Sequence, residues 1–104
     1  MKMLEKDLEK KVVAYAKSKG CLCYKFTSPA HRAVPDRIIV TPEGVVGFLE
    51  LKRPGNRPTP LQERELSILA RQGCVVNWCD DLTSAQDFIN SLLTYRLQQS
   101  DNFI

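Results

Sequence analysis

The chain has 104 residues, an apolar share of 43%, and 15 Lys and Arg against 12 Asp and Glu, for a net charge of +3. That bounds one small domain over residues 1–104 with a modest core. No apolar run approaches a membrane span, the charged start MKMLEKDLEKK speaks against a secretory leader, and the mild basicity permits nucleic-acid binding without arguing for it.

Residues 3–19 carry Leu4, Leu8, Val12, Tyr15 and Ala16 at helical spacing, which predicts a first helix. Gly20 can supply the left-handed residue that ends it, and Lys17 and Lys19 suit its last turn. Glu5 and Glu9 lie one turn apart on an adjoining line. Their plain reading is a solvated face, although Glu9 lies closer to the apolar line. Residues 21–27, CLCYKFT, read as a strand on which Lys25 either reaches a phosphate or snorkels to water. The loop SPAHRAVP, 28–35, delivers His31 and Arg32. His31 could act as a general base but suits a phosphate contact better.

Residues 36–41 and 45–52 form a hairpin through the turn Thr41-Pro42-Glu43-Gly44. A strand places residues i and i+2 on one face, so Glu50 and Lys52 point the same way. A tight turn puts Asp36 opposite Leu49 or Glu50. Both faces of the hairpin carry apolar residues, as in a sheet covered on both sides. After the loop RPGNRPTP, Thr59 and Gln62 form a capping box for a helix to about Gln72, which Gly73 ends. The box by itself accounts for Gln62. Residues 74–79, CVVNWC, are a short strand. Thr83 and Gln86 suggest a second capping box for a last helix over about 84–97, and the tail SDNFI frays unless a partner holds it. The order is α-β-β-β-α-β-α.

Two carboxylates and an amine thus gather at one end of the hairpin. Phosphodiester hydrolysis needs an activated water, an offset for phosphate charge and a stabilised leaving oxygen. Hard oxygen donors from Asp36 and Glu50, with the backbone carbonyl of Leu51, suit Mg²⁺ or Mn²⁺. Lys52 can offset charge in the transition state. Arg53, Arg57 and Arg64 follow this site and His31, Arg32 and Arg37 surround its start, so a basic rim for backbone phosphates is expected. No phosphate-cradling glycine motif is present, which argues against a nucleotide cofactor. The four cysteines contain no CxxC pair and read as buried free thiols in a reducing cytoplasm, rather than as a zinc site.

Pro35-Asp36, the hairpin and Glu50-x-Lys52 resemble the PD-(D/E)xK nuclease superfamily. The longer string FLELKRPGNRPTPLQ is similar to the virus-type replication-repair nuclease family, VRR-NUC. The likeness runs from Glu9 to about Val76. It implies an α/β, restriction-endonuclease-like three-layer core with a mixed four-stranded sheet flanked by helices. It also implies that Asp36 and Glu50 bind metal and that Lys52 is the catalytic lysine. Glu9 becomes the first-helix glutamate supporting the metal or its water, with Glu5 the other candidate, and Gln62 the helix-start glutamine near the site. Small stand-alone members are viral homodimers that resemble Holliday-junction resolvases. The expectation is therefore a metal-dependent DNA endonuclease on branched DNA in the host cytoplasm. The alternatives are a restriction-like or flap nuclease of the same chemistry, or a nucleic-acid-binding module that kept the fold alone.

Overall fold

The computed structural model describes residues 4–95. The expected helix ends at 3 and 97, and the tail from Ser100 to Ile104, lie outside them. The elements run α1 (Glu5–Ser18), β1 (Leu22–Lys25), β2 (Arg37–Val40), β3 (Val46–Leu51), α2 (Pro60–Arg71), β4 (Val75–Cys79) and α3 (Leu82–Thr94). The strands lie side by side in the order β1-β2-β3-β4. The first two pairings are antiparallel and the last is parallel. A parallel pair cannot be joined by a tight turn, so α2 carries the chain across from β3 to β4.

Gly20 and Gly73 end α1 and α2 in the same way. Each has a positive φ, +79° and +92°. After α1, Cys21 N–H reaches back to Ala16 O and Gly20 N–H to Lys17 O. After α2, Cys74 N–H reaches Leu69 O and Gly73 N–H reaches Ala70 O. This is the Schellman pattern, which ties off the last carbonyls and turns the chain straight into a strand. The hairpin turn closes by Gly44 N–H on Thr41 O at 2.9 Å, and buried Thr41 Oγ1 accepts Val45 N–H at 3.0 Å.

One face of the sheet buries Ile39, Leu49 and Leu51 against Leu8, Val12 and Ala16 of α1 and Ala85, Phe88, Ile89 and Leu92 of α3. Gly47 lies under α3, where a β-carbon would come within 2.7 Å of a Leu92 methyl. The opposite face carries α2, which packs on β4 and buries none of its own residues fully. Three layers result, as the resemblance implied.

One expected cap falls elsewhere. Asp81, not Thr83, caps α3, accepting Ser84 N–H at 2.6 Å. Its backbone is extended, and Asp ranks above Thr at this position, so the helix starts two residues early. The first three strands are also a residue or two shorter at each end than alternation suggests, and β4 is one residue shorter at its start, because pairing with a neighbour decides where a strand stops.

Candidate active site at the end of the sheet

Arg37 pairs with Leu49, so the next residue out, Asp36, falls opposite Glu50. Register thus decides between the two partners left open by the turn. Asp36 takes over where the ladder ends: its Oδ2 accepts Leu51 N–H at 2.9 Å. Its backbone oxygen accepts Phe26 N–H at 2.7 Å, which ties it to β1 as well. Burial pushes the Asp36 carboxyl up; the Leu51 N–H draws it down and the Glu9 charge pushes it up again.

Glu50 is only 2% exposed. Gln62 Nε2 donates to its Oε2 at 3.1 Å, and Lys52 Nζ lies 3.5 Å from the same oxygen. Burial first, then the Asp36 charge, push its carboxyl up to about 7, against the pull of Lys52. Gln62 serves two ends at once. Its Oε1 accepts Thr59 N–H at 2.9 Å and its own N–H binds Thr59 Oγ1 at 3.2 Å, closing the capping box. Cap and site contact are therefore one arrangement rather than rival explanations.

Both first-helix glutamates act on this corner. Glu9 Oε1 lies 3.5 Å from Arg37 Nη2 and adds to the charge around Asp36. Glu5 is raised by burial and by Asp36, and is drawn back by Lys52 and the Arg53 N–H. It also acts on Glu50. Sequence spacing favoured Glu9 because it lies nearer the apolar line. The signal for Glu5 was present in the same i, i+4 pair, which points along the helix toward its N-terminal end.

The seven residues offered for phosphate contact are dispersed. His31, Arg32 and Arg64 line one cleft beside α2, where His31 Nε2 meets Glu65 Oε1 at 2.8 Å. Arg37 is turned inward, its side chain 16% exposed. Arg57 lies over the Trp78 ring, 5.5 Å from its centre. Lys25 and Arg53 are exposed. Across the whole chain the four cysteines are free thiols, and burial raises those of Cys21, Cys23 and Cys79, the last to about 12.

Among the described residues no three His, Cys, Asp or Glu side chains stand close enough to close round one ion. A Mg²⁺-type ion needs fewer, since one or two carboxylates suffice and water and substrate oxygens complete its shell. The donor set fits that demand. Asp36 and Glu50 are facing hard donors whose carboxyls are raised by burial and by neighbouring carboxylates, a strain that a cation relieves. Leu51, whose N–H holds Asp36 and which follows Glu50, keeps its backbone in the same corner.

No family model matches the chain. A protein named "Putative nuclease p44", from Acyrthosiphon pisum secondary endosymbiont phage 1, is 40% identical over 93 residues, covering 86% of this chain and 100% of that protein. A solved structure titled "VRR_NUC domain" superposes with a TM-score of 0.77 at 24% identity, over 83% of this chain and 94% of its own. A second, "VRR_NUC domain protein", gives 0.72 at 15% identity, over 89% and 90%.

Proposed function

The chain belongs to the VRR-NUC family, and we propose from that premise that it is a metal-dependent DNA endonuclease, selective for branched DNA such as a four-way junction. The observation that carries the reading is Asp36 facing Glu50 with the Lys52 ammonium 3.5 Å from the Glu50 carboxylate. Asp36, Glu50 and the Leu51 carbonyl would hold Mg²⁺ or Mn²⁺, which when bound would supply Lewis-acid chemistry and activate a water. The protein's own groups do the rest. Asp36 is oriented by Leu51 N–H, and Glu50 by Gln62. Lys52 stands where it offsets charge developing on the phosphate. Glu9 and Glu5 add negative charge that strengthens the cation's hold.

Branched substrates fit a site with no base-reading element among the described residues, because backbone contacts report shape rather than sequence. Two such sites on a homodimer would cut opposed strands. Leu22, Tyr24 and Val46 support a dimer: all three are exposed, on the sheet face that α2 leaves bare beyond β4. The free thiols and the phage relative support action in the host cytoplasm. Among the described residues no helix is long and apolar enough to cross a membrane.

The test is a panel of labelled duplex, single strand, flap and four-way junction, each with Mg²⁺, Mn²⁺ or EDTA. Cutting of the junction with either metal is expected, with Lys52→Ala slower by about 10²-fold or more. Preferential cutting of flaps would replace the branched-junction reading with the flap reading. Equal cutting by wild type and Lys52→Ala would remove the catalytic role from this site. Binding without cutting in both metals would leave a nucleic-acid-binding module.

A further inference from the structure

Asp36 and Glu50 face each other at the proposed site, Glu9 and Glu5 add negative charge nearby, and a DNA backbone is itself anionic. Cations must therefore flank the site for the substrate to approach at all. One flank is the α2 cleft of about 280 Å³ that holds His31, Arg32 and Arg64. The other flank lies on the opposite face of the sheet. Lys6 and Lys10 are exposed, one turn apart on α1, beside the Glu5 and Glu9 row that faces the site. They line a cleft of about 490 Å³ with Glu9, Val13, Ala14 and Arg37. Its cations outnumber its single carboxylate.

Arg37 enters this cleft from β2, one residue after Asp36, and its donors are under-used. Its Nε is buried with no partner among the described residues, and its one charged contact is Nη2 to Glu9 at 3.5 Å. A guanidinium carries five N–H donors, so its terminal nitrogens retain capacity for phosphate oxygens.

We infer that Lys6 and Lys10, with Arg37 behind them, form a second backbone-phosphate subsite for DNA, on the face of the sheet away from His31, Arg32 and Arg64. The substrate backbone then crosses the end of the sheet, held on both sides of the phosphate at Lys52. This subsite rests on the nuclease reading for its ligand, but its test does not need cutting.

The test is binding of a labelled four-way junction by anisotropy at several salt concentrations, with Ca²⁺ in place of Mg²⁺. Lys6→Ala with Lys10→Ala should weaken binding about tenfold or more near 0.1 M salt. The slope of log K against log salt should flatten by about 1.8, roughly 0.9 for each phosphate that is no longer neutralised. Lys17→Ala with Lys19→Ala removes the same charge at the far end of α1, beyond reach of the site, and should change the slope by less than a third as much. An unchanged slope in the first pair, or equal changes in both pairs, overturns the subsite. If the wild type cuts while the first pair keeps its slope, the subsite fails and the nuclease reading stands. If the first pair flattens the slope and no metal supports cutting by the wild type, the nuclease reading fails and the subsite stands.

Discussion

Gln62 holds Glu50 by a 3.1 Å hydrogen bond from Nε2 while its Oε1 caps the helix it begins. Strand β3 and α2 are thereby locked together by one amide. Gln62→Ala should cost about 1 kcal/mol of stability through the broken box and about 10–100-fold in cleavage through the freed Glu50. Gln62→Glu keeps a capping acceptor but loses the donor, so its cleavage should fall while α2 stays capped. Circular dichroism melts set beside cleavage rates separate the two effects.

The metal-free protein should lose stability as pH rises. Glu50 is raised in the fold from 4.5 to about 7, chiefly by burial. A raised acid favours the folded state below its unfolded pKa, and that contribution fades as pH climbs through the folded value. The loss between pH 4.5 and pH 8 is on the order of 3 kcal/mol. Glu50→Gln should flatten this dependence and raise stability at pH 8, while abolishing cleavage. Urea titrations in EDTA at pH 5 and pH 8 check the sign.

Glu5 and Glu9 should separate by phenotype. Glu9→Gln leaves the inward-turned Arg37 without its charged neighbour and should cost about 1–3 kcal/mol. Glu5→Gln relieves a crowded carboxylate, so the fold should hold while more Mg²⁺ is needed for cutting. Urea midpoints and metal titrations of cleavage, run on both variants, test this division.

Tyr24→Glu with Val46→Glu should yield a monomer. Both residues lie on the bare sheet face, 57% and 41% exposed, and burying a pair of carboxylates there would oppose association. Light scattering should give the wild type twice the 11.8 kDa chain mass and the variant that mass once. A monomeric wild type would remove the dimer.

Gly47→Ala should destabilise by about 1–3 kcal/mol, because its new carbon meets both Leu92 methyls and the Phe88 ring at 2.7–3.1 Å in a closed core. Val at this position should cost more. Thermal melts of the two variants would rank them.

Features set by neighbours in the chain were legible beforehand. Gly20 and Gly73 mark helix ends because a left-handed residue is a local demand. Thr59 and Gln62 announce a box because three residues separate them. The Asp81 cap was obscured by Thr83, an acceptable cap two residues away; the backbone geometry at the end of β4 selected between them. Asp36, Glu50 and Lys52 were recognisable together because a short hairpin leaves few registers open.

Residues far apart in the chain needed the packed molecule. Periodicity draws α1 as an amphipathic helix but says nothing of where it docks on the sheet. That docking brings Glu5, beside Glu9, to the site and makes a cleft of Lys6, Lys10 and Arg37. It likewise turned Arg37 from an expected surface cation into one facing Glu9. Side-chain spacing along one element is dictated by backbone geometry. Where two elements meet is dictated by the fit of their buried faces, which the whole core decides at once.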